Sequence, residues 1–524
     1  MNKPKLIHNI KPLLYGCLTG IICGAVIALF LVCARIVSSF AFSVYSAERT
    51  PLAVVCTIIL VILCCLFTAV LQMLIPSAKG SGIPLGEAAA RGMLPVRWLR
   101  SAAGLIAGSL LAFICGMPLG SEGPSIGVGG MIGEGVGRIA KKPVQFRRFL
   151  ITGGSSAGLA VAFNAPLTGV AFALEETHRR FSPTILLAAF GAVIPAVMTA
   201  QLMYFGFGQI PYLYSLGIRP GMAALHFLEQ ASYKSVSALF CVCGIAAVSG
   251  IMCALIATAF NRSIFSLSKL FGKVNNSVLR LLPAFLLTAV VGLCLYTAVG
   301  SGEGTFERAQ VSTAAGMLIL ILALRFFMTV TASGSGATGG LFLPMIAIGG
   351  IAGTLIAKAA IALGMDASYA PNVIMLTVSA FFGASARAPI SATIMCLELT
   401  ASFANLLPCT VAVALSTAVA GALRTQPLYE HMMENLYEQS LSPGDDVTVS
   451  GVITAGSFIR DMRIRDVLWP HNSLVVELCR GETDIVPDGE TILREGDKLT
   501  VRAENVDRAQ FTAQIQDYIT HNLN

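Results

Sequence analysis

The chain has 524 residues, 55% of them hydrophobic and 12% charged, with a mean hydropathy of +0.76. Those values exclude a soluble globular protein and describe a polytopic membrane protein, for which neither an enzymatic role nor a nucleic-acid partner is expected. The formal charge of +7 is divided unevenly: residues 437–524 hold 15 acidic and 8 basic side chains, a net of −7, which leaves +14 for the remainder.

The start, Met1-Asn2-Lys3-Pro4-Lys5, is basic and is followed by no small-residue cleavage site, so a cytoplasmic start is expected rather than a signal peptide. Uncharged runs at 12–34, 50–78, 181–218, 235–261, 326–357 and 399–423 are each long enough to cross a bilayer. Basic clusters such as Arg138, Lys141, Lys142, Arg147 and Arg148 fit cytoplasmic loops. The 14 cysteines lie mostly in apolar runs without the His or Cys-x-x-Cys context of a zinc site, so they are expected to be small core residues, with no metal.

After the second run comes Gly80-Ser81-Gly82-Ile83-Pro84, where Ser81 offers a hydroxyl and backbone N–H groups follow it. A broken helix whose positive end points into the membrane binds anions this way, although a lone Gly-Ser-Gly also fits an ordinary loop. Residues 101–121 carry no charge, and Glu122 then arrives within Gly120-Ser121-Glu122-Gly123-Pro124-Ser125-Ile126-Gly127-Val128-Gly129-Gly130. A carboxylate at that depth is costly and marks an ion path, and the glycines can form an anion cradle in which the acid competes with the anion. The other reading is an N-cap flanked by glycines that serve helix packing. Gly154-Ser155-Ser156-Ala157-Gly158 fits the Gly-x-Ser-x-Gly of serine hydrolases, which needs a positioned base. His8, His431, His471 and His521 lie outside the apolar region and His178 and His226 only flank it, so a packing face is expected instead.

The halves repeat. Asn164-Ala165-Pro166 precedes Leu174-Glu175, and Arg387-Ala388-Pro389 precedes Leu397-Glu398 with the same spacing, at an offset of 223; Gly129-Gly130-x-x-Gly133 and Gly349-Gly350-x-x-Gly353 repeat at 220. Such duplication in membrane carriers means two halves of opposite orientation, with the substrate where broken helices meet. The second glycine block, Gly334-Ser335-Gly336-Ala337-Thr338-Gly339-Gly340-Leu341-Phe342-Leu343-Pro344, contains no acid, which predicts an asymmetric anion path. Its Gly-x-Gly-x-x-Gly spacing lacks the βαβ context of a dinucleotide site.

Together, Gly80 to Pro84, Gly120 to Pro124 and Gly340 to Pro344 resemble the three signature segments of the CLC family of chloride channels and proton-coupled chloride exchangers, over residues 10 to 435. The resemblance implies an all-α polytopic membrane fold of two inverted-topology repeats of tilted and broken helices, roughly 12–210 and 235–425. It also implies a homodimer with one anion pathway per subunit in a cell membrane. Ser81 resembles the residue whose hydroxyl holds the central anion, with N–H groups of Leu341 and Phe342 beside it. Glu122 resembles the gating glutamate, and Glu176 the inner proton-transfer glutamate of exchangers, supported by Glu175. The implied chloride-binding set is Ser81, Gly82, Ile83, Ser121, Gly123, Leu341, Phe342 and Phe403. Two departures stand out: Ser121 replaces the usual Lys or Arg before the gating acid, and Phe403 falls where a Tyr is expected, which predicts weaker central binding or looser coupling. Ser81 points to chloride over nitrate. Exchange of chloride for protons is expected, with a passive voltage- or pH-gated chloride channel as the alternative, and no cofactor.

Past Tyr429 the chain becomes charged and turn-punctuated. Strands are predicted at 447–449, 473–478 and 499–502, a short helix at 464–468 and a terminal helix at 506–519. Residues 437–524 form a small soluble α+β domain distinct from the membrane domain 1–436 and resemble the TrkA-C (RCK-C) regulatory domain. That resemblance implies dimerisation and cyclic di-AMP as a candidate ligand, with both termini cytoplasmic.

Overall fold

The computed structural model describes residues 3–48, 50–177, 183–206, 233, 235–302, 310–440 and 445–520. The first half comprises α1 (Lys3–Ser46), α2 (Pro51–Leu74), α3 (Ile83–Ala90), α4 (Trp98–Ile114), α5 (Glu122–Ile139), α6 (Val144–Phe163), α7 (Pro166–Phe172) and α8 (Pro183–Gly206). The second comprises α9 (Val236–Gly272), α10 (Ser277–Cys294), α11 (Ala315–Gly334), α12 (Phe342–Ala362), α13 (Ala370–Ala386), α14 (Pro389–Thr400) and α15 (Leu406–Ala422). Then follow α16 (Leu428–Ser440), strands β1 (Asp445–Val452), β2 (Ser473–Arg480), β3 (Thr483–Ile485) and β4 (Lys498–Val506), and α17 (Arg508–Thr520). Nine helices among the described residues are long and apolar enough to cross a membrane. The run at 181–218 is described as a helix to Gly206, and His178, His226 and His521 lie outside the described residues.

Side chains start several of these helices. Thr50 Oγ1 accepts from Ala53 N at 3.2 Å ahead of α2, Ser235 Oγ from Ala238 N at 3.1 Å ahead of α9, and Asn276 Oδ1 from Val278 N at 2.9 Å ahead of α10. The repeat is visible in backbone conformation. Asn164 and Arg387, at φ 51° and 62°, end α6 and α13 in the left-handed region, and Pro166 and Pro389 open the short helices that follow. Ile75 and Leu295, at φ −133° and −140°, likewise precede matching single turns, Pro76–Ala78 and Tyr296–Ala298. The run at 326–357 is not one span: α11 stops at Gly334 and α12 starts at Phe342, because the glycines between them form the loop that meets the first half.

In lipid, apolar burial does little to hold helices together, so close backbone contact takes over. A Cβ on Gly129 would lie 2.1 Å from the Gly154 carbonyl oxygen, and one on Gly154 would lie 2.1 Å from that of Gly129. The Gly-x-Ser-x-Gly block is therefore the packing face of α6 against α5, and Ser156 Oγ donates to Thr152 O at 2.9 Å.

The tail folds as an antiparallel sheet in the order β1-β4-β2-β3, its core formed by Leu478, Leu499, Val501 and Ala503 with Phe511 and Ile515 of α17. The predicted strands are each longer here, β3 is additional, and Val506 ends a strand paired with Asp445 instead of starting the last helix. The predicted helix at 464–468 is a single turn at Ile464–Asp466. α16 runs through the expected 436/437 boundary to Ser440, and the sheet begins at Asp445. The tail packs on the membrane part through Phe458, whose ring is 6.1 Å from Phe146 and 6.2 Å from Phe149 of α6.

Candidate anion site

Three glycine loops, distant in sequence, are stitched together by backbone hydrogen bonds. Gly120 N donates to Gly340 O at 2.8 Å and Gly340 N to Gly120 O at 2.7 Å, while Gly80 N donates to Gly336 O at 3.3 Å and Gly339 N to Gly80 O at 3.2 Å. The approach is closer than any side chain permits: a Cβ on Gly123 would lie 2.3 Å from Ser81 O and 2.6 Å from Gly340 Cα. Gly82 holds φ +84°, which turns the chain sharply into α3.

Each loop opens a helix: α3 behind Gly82, α5 behind Ser121 and α12 behind Leu341, and none of these three N-cap residues makes a side-chain cap hydrogen bond. The first N–H groups of a helix have no partner within it and carry roughly half a positive charge together. Three such ends converge on one seam, which is the electrostatic requirement for holding an anion without a formal cation. Ser81 is 3% exposed, Leu341 and Phe342 are fully buried, and Ser81 Oγ accepts from Ile83 N at 3.4 Å. Phe342 is packed between Phe163 at 4.6 Å and Phe382 at 4.3 Å.

Glu122 is 2% exposed and starts α5. Its carboxylate folds back over Gly120, where an added Cβ would lie 2.2 Å from Oε2, and its Oε1 accepts from Ser121 Oγ at 3.4 Å. The acid thus lies against the Gly120 and Gly340 bridge. Withdrawing a carboxylate from water costs several kcal/mol unless donors surround it, and the positive ends of helices are an environment that lowers this cost.

Glu176 is 1% exposed in a π-helical turn, Ala173–Thr177, that continues α7. Arg91, ending α3, clamps this turn by donating from Nη2 to Glu176 O and from Nε to Thr177 O, both at 2.8 Å. Such turns re-aim a side chain and recur at functional positions.

One expectation is corrected. Phe403 does not reach the site: it lies in a surface turn and is 78% exposed. Instead the fully buried Tyr429, second residue of α16, has electrostatic reach to Glu176, Glu87 and Glu122, and its hydroxyl has no hydrogen-bond partner among the described residues. Glu175, expected to support a proton path, is engaged elsewhere. Its carboxylate accepts from Ile390 N at 2.9 Å and from Ser391 N and Oγ at 2.7 and 2.8 Å, capping α14. Its repeat mate Glu398 caps α7 in return, accepting from Leu167 N at 2.9 Å and from Thr168 N and Oγ1 at 2.7 and 2.6 Å. Sequence reasoning also missed Glu87, 2% exposed in α3, although it is the only charged residue between Lys79 and Arg91.

The family described as voltage gated chloride channel matches residues 64–421, and the TrkA-C domain matches 448–516. Among known proteins, an H(+)/Cl(-) exchange transporter, ClcA, of Vibrio cholerae serotype O1 is 30% identical over 382 residues, 70% of this chain and 78% of that protein. Among solved structures, a slow cyanobacterial Cl-/H+ antiporter superposes with a TM-score of 0.70 at 26% identity, covering 82% of this chain and 98% of that one. A CLC-type fluoride/proton antiporter reaches 0.64 at 21% identity, covering 80% and 97%, and bears on the fold alone.

Proposed function

Since the chain belongs to the voltage gated chloride channel family, a family of transporters and not enzymes, we propose that it exchanges chloride for protons across a membrane. The observation that carries this reading is one buried carboxylate, Glu122, at the meeting point of three helix N-termini whose N-cap residues make no side-chain cap hydrogen bond. Ionised, Glu122 occupies the cradle; protonated, it loses its attraction for the helix ends and yields the place to chloride. Anion and proton then compete for one set of amide dipoles, which couples their movements.

In this reading Ser81, the backbone of Gly82, Ile83, Ser121 and Gly123, and the N–H groups of Leu341 and Phe342 hold the anion, with the Tyr429 hydroxyl as donor in place of Phe403. Glu176 relays protons at the other end, and its burial in an Arg91-clamped turn supports that role. Glu175 is assigned to the clasp between halves. The transporter would work as a homodimer in a cell membrane with both termini in the cytoplasm, and residues 437–524 would be a regulatory module, with a cyclic dinucleotide as candidate ligand.

Proteoliposomes that record chloride and proton fluxes together test the reading. Chloride movement down its gradient should drive protons uphill; chloride flux without proton flux would make the protein a passive channel.

A further inference from the structure

Lys79 lies two residues ahead of Ser81, and its side chain runs along Gly336, where an added Cβ would stand 2.8 Å from Lys79 Cε. Gly336 belongs to the seam of the site: its carbonyl accepts from Gly80 N at 3.3 Å and from Gln72 Nε2 at 2.8 Å. The other end of that buried amide, Gln72 Oε1, accepts from Arg280 Nη2 at 2.9 Å. One glutamine thus ties a second cation to the place where the first lies, and the two are within electrostatic reach of one another. Both are half-buried, and neither pairs with a carboxylate among the described residues.

Local electrostatics disfavours this arrangement. The carbonyl ends of α2 and α11 lie close in sequence to Lys79 and Gly336 and can accommodate one cation. Arg280, however, sits one turn into α10 behind its N-cap Asn276, at the helix end that already carries partial positive charge. Two like charges partly withdrawn from water also repel. Departures from local rules of this kind mark functional places, and uncompensated cations beside a pathway raise the local concentration of the anion that uses it.

We propose that Lys79 and Arg280 form an anion-recruiting site that loads chloride toward Ser81. This deepens the chloride reading and rests on it. Lowered positive charge should slow capture of chloride without changing how captured chloride is exchanged, so the effect belongs to half-saturation and not to the maximal rate or the coupling ratio.

The test uses the full chain in proteoliposomes. Lys79→Gln with Arg280→Gln should raise the chloride concentration for half-maximal flux about fivefold, with maximal flux within about twofold and the proton-to-chloride ratio unchanged. Lys79→Arg with Arg280→Lys, which keep both charges, should retain the unmodified half-saturation. An impermeant electrolyte should raise half-saturation in the unmodified protein and have little effect on the glutamine double variant, because screening removes what the mutation removes. An unchanged half-saturation in the glutamine variant, or an unmodified protein insensitive to the electrolyte, overturns the proposal and leaves the exchange reading intact. Absence of any chloride flux in the unmodified protein overturns the exchange reading itself.

Discussion

At the scale of single residues, the proposed exchange sets a carboxylate and an anion against each other for the same donors. Glu122→Gln removes the charge while keeping the shape, so the side chain can no longer carry a proton or be drawn into the cradle by deprotonation. Proton flux should fall to background while chloride flux persists, and Glu176→Val should separate the two in the same way; both are read in the dual-flux assay, and uphill proton movement in either variant contradicts the assignment. The second residue-scale prediction concerns Tyr429. A fully buried hydroxyl without a partner among the described residues costs about 1–3 kcal/mol unless a ligand accepts from it. Tyr429→Phe should therefore weaken chloride binding by about tenfold, a loss of about 1.4 kcal/mol measured by titration in detergent, whereas Phe403→Ala should change it less than twofold. The expectation of a defective central site rests on the place of Phe403 along the chain. Ring placement here is decided by how the short helix α16 docks against α3, and no local spacing reports that. Ser81 and Glu122 were legible because their signal is local: a hydroxyl or an acid flanked by glycines at the end of an uncharged run.

At the scale of elements, the exchange of caps between α7 and α14 is the feature that local reading does not show. Each glutamate closes three donors at the start of the other half's short helix, and charge-assisted caps of this kind contribute about 1–3 kcal/mol. The nine-residue spacing from Pro to Glu in both halves is visible in sequence, where the family resemblance implies a supporting proton role for Glu175, but nothing in one strand of sequence shows that the two copies cap each other. Glu175→Gln and Glu398→Gln should lower the thermal unfolding midpoint in detergent by similar amounts, because the contacts are symmetric, while the proton-to-chloride ratio is kept. Lost proton coupling at an unchanged midpoint in Glu175→Gln would return that residue to the proton path. In the tail the corresponding element is the turn into β4, where Asp497 is fully buried. Burial alone would raise its pKa, but Arg480, donating from Nε and Nη2 at 2.8 Å each, and Arg494 N at 2.8 Å hold it below the usual carboxylate range. A depressed pKa contributes stability that is complete above the unfolded value, about 4, and is lost as pH falls through the folded value. The tail of the unmodified protein should therefore lose protection from hydrogen exchange on acidification below about pH 4, and Asp497→Asn should already show that loss at neutral pH.

At the scale of the whole molecule, the question is whether the tail is tied to the transport unit firmly enough to influence it. Arg148, 4% exposed on α6, is the knot. It donates from Nε to Ala90 O at 2.7 Å, and from Nη1 to Leu468 O and to the Tyr518 hydroxyl, the latter at 2.8 Å. Tyr518 donates onward to Leu468 O at 2.8 Å, and Asp517 accepts from Val144 N at 2.8 Å. Ala90 adjoins Arg91, whose guanidinium holds the turn carrying Glu176, so the last residue of α3 and the one after it join the tail to that turn. This route follows from packed contacts and becomes a coupling only if both ends respond to one change. Arg148→Met keeps the apolar stem and removes the donors, leaving Leu468 O with Tyr518 alone; hydrogen bonds to a charged group are each worth about 1.5–3 kcal/mol. Hydrogen exchange in the full chain should then rise at 144–152 and 457–469, reporting release of the tail. If the tail acts on transport through α3, exchange should rise at the 173–177 turn as well and the proton-to-chloride ratio should shift. Release of the tail with an unmoved turn and an unchanged ratio would make the tail a bystander to the transport cycle.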